Sequence, residues 1–132
     1  MGQEKSKILI IDDQPGIRQL LSEILKEEGY VIDLAINGME GISKAEEINP
    51  DVILLDMKMP GMDGIEVLDE IKRLEIDSKV IVMTAYGELE PINHARRLGA
   101  YDYVSKPFDV LSLCRIINGV IRESRKGQVL IG

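Results

Sequence analysis

The sequence has very little cysteine, since Cys114 is the single one in 132 residues. A disulfide within the chain is therefore excluded. Because disulfides are typical of secreted proteins, this exclusion fits a reducing, cytoplasmic setting. We expect Cys114 itself to act as a small apolar residue on the inner side of a helix.

Aromatic residues and positive charge are also scarce. The chain has no tryptophan, one phenylalanine and four tyrosines, and its formal net charge is −7. Nucleic-acid-binding domains usually carry basic patches, and proteins that bind single strands stack bases on aromatic side chains. The composition therefore predicts that no nucleic acid is a partner.

Long apolar runs are absent as well. A helix that spans a membrane needs about 20 consecutive apolar residues, and no run in the sequence approaches that length. Residues 1–7 carry no apolar stretch of the signal-peptide type. We therefore expect no membrane segment, a cytoplasmic location and one domain at residues 6–125, followed by a short tail at 126–132.

What the sequence does contain is a regular alternation of two hydrophobic patterns. Short apolar runs rich in β-branched residues predict strands at 8–11, 31–36, 52–55, 80–83 and 101–104. Stretches with helical periodicity predict helices at 17–25, 38–47, 65–74, 89–98 and 109–125, and Gly29 is expected to end the first. Strict alternation predicts an α/β fold, a parallel sheet with helices on both faces.

Two of the predicted helices have a readable apolar stripe that should face the core. In the first helix the stripe consists of Ile17, Leu20, Leu21, Ile24 and Leu25. In the last helix it consists of Val110, Leu113, Cys114, Ile117, Val120 and Ile121. Leu111 and Ile116 lie off that second stripe, and they are either a partner-binding face or scattered exposed apolar residues, which are common.

The expected architecture is a doubly wound, five-stranded parallel sheet of the flavodoxin-like type. Sheets of this length commonly have the strand order 2-1-3-4-5, and ligands bind at the carboxyl ends of the strands where that order reverses. The reversal lies between the first and third strands. Asp12 and Asp13 end the first apolar run and Asp56 ends the third, so we expect three carboxylates to meet there.

The expected carboxylate cluster suggests two kinds of chemistry. Like charges at such short range raise each other's pKa unless a cation joins them. A hard divalent cation such as Mg²⁺ suits a site made of oxygen ligands. A carboxylate can also attack phosphorus and form an aspartyl-phosphate. An acidic pair by itself is equally a solvated strand end or a helix cap, so further residues must decide.

Two further polar residues follow strands at the same edge, Thr84 after the fourth and Lys106 after the fifth. With them, the chain resembles the receiver domains of two-component response regulators over residues 6–125. The resemblance rests on four motifs, which are Ile11-Asp12-Asp13, residues 55–64 (LDMKMPGMDG), Met83-Thr84-Ala85 and Lys106-Pro107-Phe108. The ordered set is far more specific than any single motif.

The resemblance implies a phosphoacceptor and a metal site. Asp56 is the expected acceptor, which takes the phosphoryl group from a phosphohistidine donor. The expected cofactor is Mg²⁺, held by Asp13 and Asp56 directly, by Asp12 through water and by the backbone carbonyl of Lys58. A receiver of this kind catalyses its own phosphorylation and dephosphorylation, and acts as a signalling domain rather than as an enzyme with a separate substrate.

The resemblance also implies how the phosphoryl group is sensed. Lys106, before a cis bond to Pro107, is expected to contact a phosphoryl oxygen. Thr84 is expected to donate its hydroxyl to the phosphoryl group after transfer. Thr84 and Tyr103 are the expected switch pair, since Tyr103 can turn inward once Thr84 moves toward the phosphate.

The implied partners are proteins: a histidine kinase, and a histidine phosphotransferase or a downstream target. Kinase specificity is expected on the exposed side of the first helix, at Gln14, Pro15, Arg18, Gln19 and Ser22. Residues 12–18, 57–66 and 84–89 are particularly similar to the single-domain regulators of the sporulation phosphorelay, although Tyr103 replaces their histidine. Lys58 and Tyr86 lie beside the site and should shield an acyl phosphate from water, so we expect slow self-hydrolysis.

Three other functions stay open at this point. A Mg²⁺-dependent phosphohydrolase also forms an aspartyl-phosphate, but such enzymes typically have one residue between two aspartates, whereas Asp12 and Asp13 are adjacent. An interaction module that takes no phosphate is disfavoured by the intact set of five site residues. A receiver from a longer transcription factor would have the same motifs. The single histidine, His94, is expected to be an exposed side chain rather than a phosphate relay.

Overall fold

The computed structural model describes residues 5–85 and 89–131, with residues 89 and 124–131 described by their backbone alone. Five strands and five helices alternate along this part of the chain. The strands are β1 (Lys7–Ile11), β2 (Val31–Ala35), β3 (Val52–Asp56), β4 (Lys79–Ala85) and β5 (Asp102–Lys106). The helices are α1 (Pro15–Glu27), α2 (Gly38–Ile48), α3 (Gly64–Arg73), α4 (Leu89–Arg97) and α5 (Val110–Ile131).

The strands form one parallel sheet in the order β2-β1-β3-β4-β5. This confirms the predicted α/β fold and its strand order, which reverses between β1 and β3. Strand β3 is buried along its whole length, as expected for a continuous apolar run covered on both faces. The acidic residues therefore lie at the ends of two inner strands of the sheet, each with a neighbouring strand on both sides.

Helices cover both faces of the sheet, and side chains alternate between the two layers because successive strand residues point to opposite faces. Ile8 and Ile10 of β1 pack with the layer formed by α1 and α5. Leu9 and Ile11 pack with the layer formed by α2, α3 and α4. Both layers hold the strands in place, so the positions of the strand ends are fixed by the core.

Local capping defines where several helices begin and end. The side chain of Asn37 accepts a hydrogen bond from the N–H of Glu40 at the start of α2. Asp63 and Glu66 form a reciprocal capping box at the start of α3. Gly29, with φ of +96°, follows the last turn of α1, as predicted, because a left-handed residue suits that position.

The orientation of α1 differs from the prediction at three residues, of which Leu20 and Ser22 concern the core and Arg18 is described with the site. Leu21 and Leu25 are fully buried and mark the centre of the inner face. Leu20, assigned to the core stripe, is 44% exposed, whereas Ser22, assigned to the exposed kinase-contacting side, is buried. Each helical residue is rotated by about 100° from the last, so the packing of the helix decides which flanking residue is covered. Ser22 is therefore removed from the set of exposed candidates.

The last helix also differs from the prediction. It continues to Ile131, although the sequence indicated an end at Arg125 and a separate tail at 126–132. Gly127 is a weak breaker, costing about 1 kcal/mol within a helix, and no proline follows to stop the helix. Val110 is partly exposed rather than in the core because it is the first residue of α5. The domain limits themselves stay a prediction.

Three further predictions concern membrane segments, His94 and Cys114. None of the described helices is long and apolar enough to cross a membrane. His94 is exposed on α4, as expected. Cys114 is half-buried rather than fully buried, and its partial burial, together with the nearby charge of Glu28, raises the pKa of its thiol.

Candidate functional site

Three acidic side chains meet at the carboxyl ends of β1 and β3. Asp12, Asp13 and Asp56 each offer a carboxylate oxygen, and these oxygens lie within 4.8 Å of one another. The juxtaposition follows from the parallel pairing of β1 with β3, in which Ile11 lies opposite Leu55. Asp12 is fully buried, Asp56 is buried and Asp13 is half-buried. The predicted carboxylate cluster is therefore present in the fold.

A lysine from the far edge of the sheet reaches this cluster. Lys106 is the last residue of β5, and its Nζ lies 2.9 Å from Oδ2 of Asp12 and 3.5 Å from Oδ1 of Asp56. The peptide bond between Lys106 and Pro107 is cis, as the resemblance implied. A compact ammonium group between two carboxylates offsets part of their mutual repulsion.

The environment of Asp56 disfavours its charged form. Burial raises the pKa of its carboxyl group, and the negative charge of Asp12 raises it further. Lys106 and the backbone N–H of Lys58, which donates to Oδ1 at 3.3 Å, act in the opposite direction but do not cancel the increase. The pKa of Asp56 is therefore above its ordinary value, and a bound cation would favour the ionised carboxylate.

A polar cleft joins most of the predicted site residues. Thr84 is buried within β4, one residue before the strand ends, and its register partner on β5 is Ser105. The cleft has a volume of about 240 Å³ and is lined by Asp13, Gln14, Asp56, Lys58, Met83, Thr84, Ala85 and Lys106. Of the five residues in the ordered set, four line the cleft, and the fully buried Asp12 lies behind them.

The segment between β3 and α3 is held tightly against Asp56, and Gly64 makes this possible. Its N–H donates to the carbonyl oxygen of Met57 at 3.1 Å. A side chain at this position would place its Cβ 2.7 Å from the Cα of Met57 and 3.0 Å from the carbonyl oxygen of Asp56. Such distances cannot be relieved by a rotamer change because the atoms belong to the backbone. The glycine at the end of the 55–64 motif thus has a steric role.

Arg18 makes a contact that the sequence did not predict. Its Nη1 donates a hydrogen bond of 2.6 Å to the carbonyl oxygen of Asp12. The sequence places Arg18 among the exposed kinase contacts with Gln14, Pro15 and Gln19, which are exposed. Arg18 is instead half-buried and bonded to the chain itself. The six-residue spacing between Asp12 and Arg18 crosses a turn, so periodicity alone could not reveal the contact.

Tyr103 lies on the same face of the sheet as Thr84. Tyr103 is paired with Val82 on the neighbouring strand, and side chains two residues apart on a strand share a face. The half-buried ring packs against the core layer of α2, α3 and α4, and the guanidinium carbon of Arg96 lies 5.4 Å from its centre. The expected switch residues are thus diagonal neighbours, with a cation over the ring.

The predicted partner face on α5 has one exposed and one partly covered member. Leu111 is 70% exposed. Ile116 is half-buried and lines a groove of about 450 Å³ between β5 and α5. The face stays a prediction. Tyr86, the second residue expected to shield the acyl phosphate, lies outside the described residues.

With the fold and the cleft established, the comparisons with known proteins define the class. Residues 8–118 match the family described as the response regulator receiver domain. The chain belongs to this family. It is a receiver domain of the two-component signalling type, as the resemblance of its motifs predicted.

Individual relatives and solved structures agree with this class. The chain is 50% identical over 104 residues to sporulation initiation phosphotransferase F of Bacillus subtilis, covering 79% of this chain and 84% of that protein. It is 37% identical over 115 residues to the chemotaxis protein CheY of Halobacterium salinarum, covering 87% and 96%. A response regulator receiver domain protein from Clostridium thermocellum has a TM-score of 0.84 at 34% identity, covering 91% and 97%.

Proposed function

We propose that this receiver domain catalyses phosphoryl transfer from a phosphohistidine donor to its own Asp56, with Mg²⁺ bound at the acidic cluster. The observation that carries the proposal is the meeting of three carboxylate oxygens within 4.8 Å, beside a lysine that contacts two of the three side chains. The family of the chain supports the same chemistry.

The chemistry of the donor set fits a hard divalent cation. Carboxylate oxygens are preferred ligands of Mg²⁺, which usually takes one or two of them and keeps several waters. Asp13 and Asp56 line the cleft and would bind the ion directly, with the backbone carbonyl of Lys58. Asp12, which is fully buried, would act through water. When bound, Mg²⁺ supplies positive charge that neutralises the transferred phosphoryl group.

The chain's own residues would do the rest of the transfer. An oxygen of the Asp56 carboxylate attacks phosphorus, the bond between phosphorus and the imidazole nitrogen breaks, and its electron pair stays on that nitrogen. Lys106 holds one phosphoryl oxygen by its charge, and Thr84 donates its hydroxyl to another once the acyl phosphate has formed. Phosphoryl transfer needs mainly positioning and electrostatic stabilisation, which rigid strand ends can provide.

The product would be read out by the pair of Thr84 and Tyr103. When Thr84 moves toward the phosphoryl group, it leaves space on the face that it shares with Tyr103, and the ring turns inward. The diagonal placement of the two residues on β4 and β5 supports this coupling. The change on the surface of β5 and α5 would then alter the binding of a target protein.

The likeness to sporulation initiation phosphotransferase F supports a role in a relay. In such a role the domain accepts the phosphoryl group from a histidine kinase and passes it to a histidine phosphotransferase. Gln14, Pro15 and Gln19 are exposed, Gln14 also lines the cleft, and these three are the residues we propose to select the kinase. A stand-alone switch that acts on a target protein uses the same site and differs only in its last step.

The proposed chemistry is tested with acetyl phosphate and Mg²⁺. We expect the intact mass to increase by one phosphoryl group, and Asp56→Asn to show no increase. Omission of Mg²⁺ should also prevent the reaction. If acetyl phosphate gives no product, a purified phosphohistidine protein is the second donor. Failure of both donors, together with no Mg²⁺ binding, would support an interaction module that takes no phosphate.

The same preparation distinguishes the remaining enzymatic alternative. A phosphohydrolase would release phosphate from small phosphomonoesters in rapid, repeated turnovers, whereas a receiver would not. The adjacent Asp12 and Asp13 support the receiver, because the hydrolases typically separate their two aspartates by one residue. Rapid turnover would overturn the proposal even if Asp56 were phosphorylated.

The lifetime of the acyl phosphate tests the role in a relay. Lys58 is exposed at the rim of the cleft, where its long side chain can hinder an attacking water. The proposed role of Tyr86 rests on its position in the sequence alone. We expect the Lys58→Asn, Tyr86→Ala double variant to lose its phosphoryl group faster than the wild type. An unchanged lifetime would contradict the shielding role of both residues.

A further inference from the structure

Asp12 is anchored through four hydrogen bonds, and one of them comes from a residue with no assigned role in the site. Its N–H donates to the carbonyl oxygen of Ala35 at 3.2 Å. Its Oδ1 accepts from the N–H of Gln14, and its Oδ2 accepts from Nζ of Lys106, both at 2.9 Å. Its carbonyl oxygen accepts from Nη1 of Arg18 at 2.6 Å. The N–H, the carbonyl oxygen and both carboxylate oxygens of the buried Asp12 are thus all hydrogen-bonded.

The position of Arg18 is not explained by the helix that carries it. Arg18 lies in the first turns of α1, and its N–H bonds to the carbonyl oxygen of Gln14. A cation near the N-terminus of a helix is opposed by the helix dipole. The first turn of α1 has no acidic residue, and Gln14 makes no side-chain cap. The favourable partner that the structure shows for the Arg18 side chain is therefore the Asp12 carbonyl oxygen.

The bond to the Asp12 carbonyl constrains Asp13 directly. The carbonyl of Asp12 and the N–H of Asp13 belong to one planar peptide unit, so the bond from Arg18 holds the peptide plane between Asp12 and Asp13. The N–H of Gln14, bonded to Oδ1 of Asp12, belongs to the peptide plane between Asp13 and Gln14. The backbone torsion angles of Asp13 describe the orientation of these two planes, and both planes are anchored. The direction of the Cα–Cβ bond of Asp13, from which its carboxylate extends, is consequently set by the turn that Arg18 closes.

We infer that Arg18 is a positioning residue, which closes the turn between β1 and α1 so that Asp13 presents its carboxylate for divalent cation binding. The inference deepens the proposed function and rests on its metal site. It assigns Arg18 to the chain's own architecture and not only to a kinase surface. Arg18 is not among the residues that line the cleft, and it acts through Asp12 and Asp13.

Charge and positioning predict opposite results when Arg18 is removed, which makes the inference testable. Loss of a cation beside three carboxylates strengthens Mg²⁺ binding if only long-range charge matters. Loss of the anchored turn weakens Mg²⁺ binding, because residues that orient metal ligands contribute about ten- to a hundredfold to affinity. The sign of the change therefore separates the two effects.

The experiment is a calorimetric titration of metal-stripped protein with Mg²⁺, comparing wild type, Arg18→Ala, Arg18→Lys and Arg115→Ala. Arg115 is exposed on α5, so Arg115→Ala removes one positive charge far from the turn and serves as the control for charge. We expect about tenfold weaker binding for Arg18→Ala, recovery for Arg18→Lys, whose ammonium can donate to the carbonyl, and no change for Arg115→Ala. Equal or tighter binding by Arg18→Ala would overturn the inference.

A second measurement does not require the metal. In metal-free protein, amide hydrogen exchange at Gln14, whose N–H donates to Oδ1 of Asp12, should be faster in Arg18→Ala than in wild type, while exchange within β1 is unchanged. Unchanged exchange at Gln14 would overturn the inference even if Mg²⁺ affinity fell. If Arg18→Ala does not fold, Arg18→Met keeps the aliphatic stem without the donor and takes its place.

The outcomes also separate this inference from the proposed function. If the wild type binds no Mg²⁺, the proposed metal site fails and the role of Arg18 in cation binding fails with it, and amide exchange then decides only whether Arg18 closes the turn. If the wild type binds Mg²⁺ and Arg18→Ala binds it equally well, only the inference fails. With saturating Mg²⁺, the phosphorylation rate of Arg18→Ala should return to the wild-type rate. A rate that stays low at saturation would contradict a role in metal positioning.

Discussion

The two ends of the parallel sheet differ in how they accommodate charge. At the amino-terminal end, the exposed Asp51 accepts a hydrogen bond of 2.8 Å from the N–H of Lys7, and the exposed Lys79 lies over the ring of Tyr101. At the carboxyl-terminal end, Asp12 and Asp56 are buried around Lys106. The charged side chains named at the amino-terminal end are exposed to solvent, whereas the two carboxylates at the carboxyl-terminal end are buried.

The difference shows how one set of strands serves stability and chemistry at once. Attraction to a cation does not always offset the cost of burying a carboxylate, and the raised pKa of Asp56 shows that its contacts with Lys106 and Lys58 leave part of that cost in place. The strands between the two ends are buried on both faces, and this core fixes the strand ends. The cleft can therefore hold a carboxylate with a raised pKa without loss of the fold.

The largest expected difference between the two ends is in the phosphorylation rate when one lysine at each end is replaced. Lys106→Met should lower the rate of phosphorylation from acetyl phosphate by about a hundredfold, the usual loss when one stabilising group of a transition state is removed. Lys79→Met should leave the rate unchanged because its ammonium lies at the opposite end of the sheet. Stopped reactions analysed by intact mass give both rates.

Lys106→Met also leaves two buried carboxylates without their cation, so its fold must be checked by circular dichroism. Lys106→Arg keeps the charge but not the compact shape of the ammonium, and we expect it to fold and to phosphorylate more slowly than the wild type. Equal rates for Lys106→Met and Lys79→Met would remove the functional distinction between the two ends.

An intermediate effect is expected for Asp56→Asn on stability. The pKa of Asp56 is raised mainly by burial, so at neutral pH its charge destabilises the folded state. Replacement by the neutral isostere should increase the free energy of unfolding by about 1 kcal/mol, the scale of most single substitutions. Urea titrations in the absence of Mg²⁺ measure the difference between the two proteins at each pH.

The sign of the pH dependence follows from linkage. A carboxyl group whose pKa is higher in the folded than in the unfolded state destabilises the protein above its folded pKa. The penalty decreases as the pH falls through the folded pKa and is absent below the ordinary value of 3.8. The advantage of Asp56→Asn should therefore be greatest at neutral pH and disappear in acid.

Asp51 at the other end provides the matched control for Asp56. Asp51→Asn removes an exposed charge that accepts a hydrogen bond from Lys7, so it should lower stability slightly and not raise it. A stabilising Asp51→Asn, or a destabilising Asp56→Asn at neutral pH, would contradict the assignment of unfavourable charge to the carboxyl-terminal end alone.

The smallest effect is expected for two cation–ring pairs with the same separation. Arg96 lies 5.4 Å from the ring centre of Tyr103, and Lys79 lies 5.4 Å from that of Tyr101. Each exposed contact contributes about 0.5–1 kcal/mol, so Arg96→Ala and Lys79→Ala should have similar small effects on thermal unfolding. Arg96→Ala alone should also shift the Tyr103 ring resonances of the unphosphorylated protein, because it frees the expected switch residue. Identical Tyr103 ring spectra in Arg96→Ala and wild type would contradict the expectation that Arg96 restrains this ring.

Much of the candidate site could be predicted from the order of residues along the chain. Asp12, Asp56 and Lys106 each lie at the end of a strand, and parallel strands bring their carboxyl ends to one edge. Once the alternation of strands and helices indicated a doubly wound sheet, the strand order placed Asp12 and Asp56 on neighbouring strands. The register between the strands was not predicted, because it relates two strands and the two-residue period of one strand does not determine it.

The errors lie where local periodicity does not determine the environment. Leu20 and Ser22 flank the buried Leu21 on α1, and the choice between them depends on how the helix packs on the sheet. The end of α5 at Ile131 depends on the absence of a strong breaker, which is a weak local preference. Both errors concern the rotation or length of a helix rather than its existence.

The fold class, the strand order and the residues that gather at the carboxyl-terminal edge could be predicted from the chain alone, because hydrophobic period and chain order are properties of the chain. The bond from Arg18 to the Asp12 carbonyl and the position of Lys106 beside both Asp12 and Asp56 are seen only in the folded protein. The raised pKa of Asp56 likewise depends on its burial in the fold. Hydrogen bonds between distant residues and the loss of solvent depend on three-dimensional distances, which no local pattern encodes.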